Sequence, residues 1–83
     1  MTEPLRLNTL AVGEQMTVCA VEGEPYMKKR LEDLGFCADT QVTCLYKAPL
    51  GDPTAYLVRG TVIALRSRDA AGVIGTEVGH GCE

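Results

Sequence analysis

The sequence has few aromatic residues and almost no histidine. It contains no tryptophan, one phenylalanine and three tyrosines, and its single histidine, His80, lies near the end of the chain. Aliphatic side chains must therefore fill the core. A groove for proline-rich peptides needs an aromatic lining, and a platform for single-stranded nucleic acid needs stacked rings, so both kinds of site are disfavoured.

The sequence also lacks the patterns that usually accompany catalysis. It has no G-x-x-x-x-G-K-[ST] phosphate-binding loop. It shows no set of serine or cysteine, histidine and carboxylate residues that would activate a nucleophile. Glu32 and Asp33 are neighbours, and neighbouring side chains on a helix diverge by roughly 100°, so their carboxylates do not converge on one substrate. We therefore expect neither an enzyme nor a bound cofactor.

The chain has no export signal and no long apolar run. Its first residues, MTEPLRLNTL, include a glutamate and a proline, and no window approaches the roughly 18 apolar residues of a membrane span. We therefore expect a soluble, cytoplasmic protein. The net charge of −3 argues against a nucleic-acid partner, because domains that contact phosphates are usually basic.

The cysteines are interpreted as buried or inert thiols, because a chain without an export signal stays in a reducing compartment. No pair has the C-x-x-C spacing; the four are Cys19, Cys37, Cys44 and Cys82. Metal ligation and disulfides remain alternatives. His80 and Cys82 are ligand types two residues apart, but a structural site normally needs four ligands, so we assign no metal ligand. We expect 79–83 to be a flexible tail.

A chain of 83 residues indicates one domain, which we place at 1–78. Segment 22–36 has the features of one short helix. Pro25 suits the first helical position, Gly35 suits a left-handed cap after the last turn, and Phe36 can pack back on that turn. The apolar face at helical spacing consists of Met27, Leu31 and Leu34.

The rest of the chain reads as short strands. We expect strands at 15–21 and 40–47, then a hairpin over 54–66 that reverses at Gly60-Thr61 in a type II′ turn. Asp69 is expected to cap a single-turn helix at 68–72, and a strand follows at 73–78. This order predicts a mainly β fold: a small SH3-like barrel of about five strands, with one helix after the first strand and a single-turn helix before the last.

Two segments are candidate partner-binding sites. The connector APLGDP (48–53) carries an apolar tip that two prolines stiffen, and KKR is the densest basic cluster. Each has a simpler interpretation, as an ordinary connector or as a solvated helix face paired with Glu32 and Asp33. The candidate residues are Leu50, Gly51, Asp52, Pro53, Lys28, Lys29 and Arg30.

Three stretches at these spacings resemble the FeoA family of bacterial ferrous-iron uptake: RLEDLGF (30–36), APLGDP (48–53) and VRGTVIALR (58–66). The similarity runs from about Leu5 to Ile74. Asp39 departs from it, since the family commonly has glycine in that turn. Aspartate also adopts left-handed conformations, so we expect the turn to survive.

The resemblance implies an SH3-like barrel and a non-catalytic adaptor or regulator that docks on the cytosolic GTP-binding region of the FeoB iron transporter. The transporter would then hold the protein at the inner face of the membrane. The alternatives are a module that binds or senses a transition metal and, with less support, a nucleic-acid-binding barrel. We expect a monomer or a weak homo-oligomer.

Overall fold

The computed structural model describes residues 4–79, which form six antiparallel strands and two short helices. The strand order across the sheet is β1-β6-β2-β3-β4-β5. A single 3₁₀ turn, Leu7–Thr9, follows β1. The elements are β1 (Leu5–Arg6), β2 (Gln15–Val21), α1 (Pro25–Leu34), β3 (Gln41–Lys47), β4 (Thr54–Val58), β5 (Thr61–Leu65), α2 (Ser67–Ala70) and β6 (Val73–Thr76).

The mainly β fold class is confirmed, with two differences in detail. The sheet is open, because no ladder within residues 4–79 joins β1 to β5. The helix α1 follows the second strand, since Leu5–Arg6 forms a short first strand against β6. A strand of two residues is too short to show an alternating pattern in the sequence. Leu5 and Arg6 form a strand because they pair with β6. Apart from Gly79, the expected tail lies outside the described residues.

The start and end of α1 follow the predicted signals. Pro25 occupies the first turn, and Gly35 adopts φ 116°. The N–H of Gly35 donates to the carbonyl of Glu32 at 3.0 Å, and the N–H of Phe36 donates to that of Leu31 at 3.0 Å. These two bonds form a Schellman motif, in which the residue after the glycine packs on the last turn. Phe36 and Leu31 are accordingly both buried.

One residue of the predicted apolar face is not in the core. Leu31 is buried and Met27 packs partly against the core, but Leu34 is 40% exposed. The helix ends at Leu34, and Phe36 turns back to fill the space beside Leu31. The helical period was therefore correct, but the chain reversal gives the inner position to Phe36.

The β4–β5 hairpin is present, but its turn differs from the prediction. Val58 pairs with Thr61, so the two loop residues are Arg59 and Gly60. Their φ values are 52° and 79°, which is the type I′ arrangement and not the expected type II′. The glycine therefore takes the second loop position, and an arginine adopts the left-handed region at the first.

The core is aliphatic, as the composition predicts, with Phe36 and Tyr56 as its rings. The hydroxyl of Tyr56 donates to the carbonyl of Leu7 at 3.4 Å, and burial raises the pKa of Tyr56. Asp39 adopts φ 69°, so the aspartate does form the left-handed turn. Other fully buried side chains are Leu7, Met16, Val18, Leu31, Val42, Cys44, Val58 and Val73.

Candidate interaction surfaces

The connector 48–53 is a tight loop between β3 and β4. The N–H of Gly51 donates to the carbonyl of Ala48 at 2.7 Å, and the N–H of Ala48 donates to the carbonyl of Pro53 at 3.0 Å. The peptide bond between Asp52 and Pro53 is cis. At the tip, Leu50 is 96% exposed. The loop therefore holds one apolar side chain fully in solvent.

Asp52 fixes this loop to the start of α2. Its Oδ1 accepts a hydrogen bond from the N–H of Ser67 at 2.7 Å, so it satisfies one of the N–H groups that a helix start leaves unpaired. The expectation that Asp69 caps α2 is wrong, since Asp69 lies within Ser67–Ala70. The cap comes from 15 residues upstream, where no local sequence pattern reveals it.

Loss of this cap should destabilise the domain. We expect Asp52→Ala to lower the free energy of unfolding by about 1 kcal/mol, the usual cost of removing a capping side chain. Asp52→Asn keeps an acceptor at the same position, so it should lose clearly less. Urea denaturation of both variants measures the difference. Equal losses would show that the hydrogen bond to Ser67 does not stabilise α2.

The basic cluster lies on the exposed side of α1. Lys28, Lys29 and Arg30 are all exposed, and none of them takes part in an ion pair among residues 4–79, where the one such pair joins Arg6 and Glu22 at 3.5 Å. The expected pairs of the lysines with the carboxylates one turn along do not form.

Sequence reasoning missed two apolar residues beside this cluster. Tyr26 is 73% exposed and Leu34 is 40% exposed. Together with Lys29, Arg30 and Asp33 they line a shallow groove on α1. Tyr26, Arg30 and Leu34 are spaced at i, i+4 and i+8, so a second helical stripe was readable. We call this surface the α1 face.

The loop and the α1 face are separate surfaces. The loop lies at the start of β4, which begins at Thr54. The end of α1 lies near the opposite end of β4, because a Cβ added at Gly35 would contact the side chains of Val58 and Arg59. No hydrogen bond or ion pair in the described part of the chain links 48–53 to the three basic residues. The structure thus leaves the predicted partner-binding residues in two groups.

The cysteines do not form a metal centre within the described residues, where no cluster of three or more histidine, cysteine or carboxylate side chains is placed to hold an ion. Burial raises the pKa of the Cys44 thiol, and Cys37 donates to the carbonyl of Glu32 at 3.2 Å. Cys19 is disulfide-bonded, so the expectation of an inert thiol is wrong there. His80 and Cys82 lie outside residues 4–79.

No helix between residues 4 and 79 is long and apolar enough to cross a bilayer. The longer helix, α1, has 10 residues, whereas a spanning helix needs roughly 20.

Comparison with known proteins identifies the family. The family model of the FeoA domain matches residues 5–76, a range that includes every strand and both helices of the described residues. The chain belongs to the FeoA family. Its three most specific stretches, 30–36, 48–53 and 58–66, are therefore parts of a FeoA domain: the second half of α1 with its cap, the exposed loop, and the hairpin turn with β5.

A relative of this FeoA domain is part of a much longer protein. The chain is 36% identical over 67 residues to the Fe(2+) transport protein A/Fe(2+) transporter FeoB fusion protein of Porphyromonas gingivalis. That match covers 81% of this chain and 8% of the relative. A FeoA domain and a FeoB transporter therefore occur there in one polypeptide.

Solved structures agree with the fold. The FeoA protein of Chlorobium tepidum is 31% identical, with a TM-score of 0.81, over 92% of this chain and 73% of the other. Stenotrophomonas maltophilia FeoA, solved with zinc, is 28% identical with a TM-score of 0.76, over 86% and 88% of the two chains. It is described as a prokaryotic SH3 domain protein with a suggested role in activating ferrous iron transport. The SH3-like fold class is thereby confirmed.

Proposed function

We propose that this FeoA domain is a non-catalytic accessory protein of ferrous iron transport in the cytoplasm, and that it docks on the cytosolic GTP-binding region of a FeoB-type transporter. The observation that carries the proposal is the fusion of a related FeoA domain to FeoB in one chain. Fusion of two domains keeps them at high effective concentration, which benefits partners that act together.

The loop 48–53 supports docking by its construction. An exposed leucine on a mobile loop would lose conformational freedom on binding, whereas a loop already held in one shape loses less. Here the two backbone hydrogen bonds within the loop and the Asp52 cap on Ser67 restrict the backbone before any partner arrives. Leu50 is thus presented as a preorganised apolar contact, and Gly51, Asp52 and Pro53 follow it in the loop.

The basic cluster of α1, of which Lys29 and Arg30 lie on the α1 face, supplies a second contact of a different kind. Lys28, Lys29 and Arg30 are exposed and unpaired within residues 4–79, so they can meet acidic groups without first breaking an internal ion pair. Exposed charges of this kind mainly speed the encounter and set its salt dependence. We propose that Leu50 contributes most of the binding affinity and that the α1 face orients the domain on its partner.

The proposal is tested by co-purification from membranes that contain a full-length FeoB-type transporter. We expect the domain to be retained by the tagged transporter and to be released as salt rises. The assay is run with GTP, with GDP and without nucleotide, because the GTP-binding region changes state with its ligand. Absence of retention in all three conditions would overturn the docking proposal.

The Leu50→Glu variant separates docking from folding. We expect its free energy of unfolding to stay within about 0.5 kcal/mol of the parent, because the side chain is in solvent. Retention by the transporter should fall at least roughly tenfold, the loss of a central apolar contact. Val78→Glu is the matched control, since Val78 is also an exposed apolar residue but lies outside both surfaces. A stability loss in Leu50→Glu with full retention would make the loop a purely structural connector.

The other two functions have less support. Zinc occurs in the structure of the Stenotrophomonas maltophilia relative, but the described residues of this chain bring no three ligands together. A nucleic-acid-binding barrel would need a basic surface, and the net charge is −3. Binding to nucleic acid that falls steeply with salt would revive that function.

A further inference from the structure

Strand β5 is an exposed edge of the sheet. It pairs with β4 on one side, from Thr54 with Leu65 to Val58 with Thr61, and it is last in the strand order. No backbone group of β5 bonds outside this ladder within residues 4–79. An unprotected edge of this kind is a template for another strand.

The register identifies which backbone groups point outward. The two-residue turn makes Val58 and Thr61 a hydrogen-bonded pair, and such pairs alternate along an antiparallel ladder. Thr61, Ile63 and Leu65 therefore bond to β4. Val62 and Ala64 direct their N–H and C=O groups away from it, and both residues are exposed.

The side chains of these two residues belong to an uncharged surface. Directly opposed residues share a face of the sheet, and Val62 opposes Leu57 as Ala64 opposes Ala55. Val62 is 55% exposed. We call this surface the outer face of β3–β4–β5, and its accessible residues are Thr43, Tyr46, Leu57, Val62 and Ala64. Ala55 shares this face of the sheet but is buried.

Three arginines border this edge. Arg59 lies in the turn before β5, Arg66 follows its last residue, and Arg68 lies in α2. All three are exposed, and within the described residues none forms an ion pair or a side-chain hydrogen bond. The uncharged strand is thus flanked by positive charge at both ends.

We propose that β5 is a docking edge for an extended segment of a partner protein that carries apolar residues at alternate positions between acidic ends. The segment would add a strand beyond β5, bonding to the outward groups of Val62 and Ala64, as in other β-strand additions. Its alternate side chains would extend the outer face, and its carboxylates would meet Arg59 and Arg66.

Charge argues against a second copy of this chain as the occupant. If the β5 strands of two copies paired in antiparallel fashion with Ile63 at the centre, Arg66 of one copy would lie opposite Gly60 of the other. Arg66 would then lie beside Arg59 of that other copy. Like charges at both ends oppose this dimer, whereas acidic ends on a different segment favour binding. The inference does not rest on the proposed function, because the loop 48–53 and the α1 face are not used.

The test uses the full chain and a synthetic peptide, Glu-Glu-Val-Thr-Val-Thr-Val-Glu-Glu, at low salt. NMR should show chemical-shift changes centred on β5 and several-fold slower amide exchange at Val62 and Ala64. A control peptide with lysines replacing the glutamates should bind at least roughly threefold more weakly.

Substitutions on β5 separate backbone from charge. Val62→Pro removes an outward N–H without touching the β4 ladder, so peptide binding should weaken roughly three- to tenfold. Val62→Ala keeps that N–H and controls for the side chain. Arg66→Glu should weaken binding of the acidic peptide and strengthen binding of the lysine peptide. If Val62→Pro does not fold, this reversal of preference tests the inference in its place.

Three results would overturn the inference. The first is an absence of β5 shifts or shifts centred on the α1 face. The second is equal affinity for the two peptides. The third is a concentration-dependent dimer of the free chain that protects the amides of Val62 and Ala64, because the edge would then belong to a second copy. The transporter is absent from these experiments, so their outcome is independent of docking on FeoB.

Discussion

A Gly75→Ala variant is expected to lose about 3 kcal/mol or more of unfolding free energy. Gly75 lies in β6, between Leu5 of β1 and Val18 of β2. A Cβ at this position would overlap the carbonyl oxygen of Thr17 and approach the Thr17 carbonyl carbon to 2.9 Å. Both atoms belong to the backbone of β2, so the overlap can be removed only if β2 moves. Overpacking costs up to about 3 kcal/mol in most cases and more where the backbone must shift.

Thermal and urea denaturation of Gly75→Ala measure this loss, which should lower Tm by more than about 12 °C in a domain of this size. Gly51→Ala is the control, because it adds the same methyl group where nothing lies within 4 Å. Its φ of 87° makes alanine cost only about 1–2 kcal/mol. Equal losses in the two variants would show that the β1–β6–β2 packing is looser than the structure has it.

The second large effect is expected for Phe36→Ala, with a loss of about 3–5 kcal/mol. Phe36 is fully buried and packs with the core, and its position after Gly35 joins the end of α1 to the sheet. Truncation removes this buried side chain and leaves a cavity in the core, and both effects lower the free energy of unfolding. Urea denaturation followed by circular dichroism gives the value.

Phe36→Leu serves as the control, since it retains most of the apolar volume and should lose much less. If Phe36→Ala lost under about 1 kcal/mol, the side chain would not be the anchor that the Schellman motif implies. The same result would also remove the explanation for the exposure of Leu34, which rests on Phe36 taking the inner position.

Local signals in the sequence predicted the elements whose geometry is local. Pro25, Gly35 and Phe36 fix α1 because caps depend on adjacent residues. The sequence predicted the hairpin but placed Gly60 and Thr61 in its turn instead of Arg59 and Gly60. Glycine fits either position of a two-residue turn, so the sequence alone does not distinguish the two. The pairing of Val58 with Thr61 decides between them, and only the ladder reveals it.

Tertiary contacts account for what the sequence did not reveal. The Asp52 cap on Ser67 depends on the loop and α2 meeting across the fold. Strand β1 exists only beside β6. The outer face of β3–β4–β5 was also missed, because β4 has apolar residues on both faces and its alternation is hidden. By contrast, Leu50 could be predicted as exposed, since it lies at the tip of a proline-bounded connector.

The identity of the partner did not follow from composition or periodicity. Those patterns predicted a small β domain without catalytic groups, and several kinds of binding module fit that description. The specific spacing of 30–36, 48–53 and 58–66 indicated the FeoA family, and the match over 5–76 established it. Partner choice depends on side chains presented to another molecule, so it must be measured with that molecule.

The most direct test of the account is a calorimetric titration of this domain into the isolated cytosolic GTP-binding region of a FeoB-type transporter. We predict saturable binding of one domain per region, weakened at least roughly tenfold by Leu50→Glu and unchanged by Val78→Glu. No heat of binding with GTP, with GDP or without nucleotide would contradict the central claim that the domain docks there.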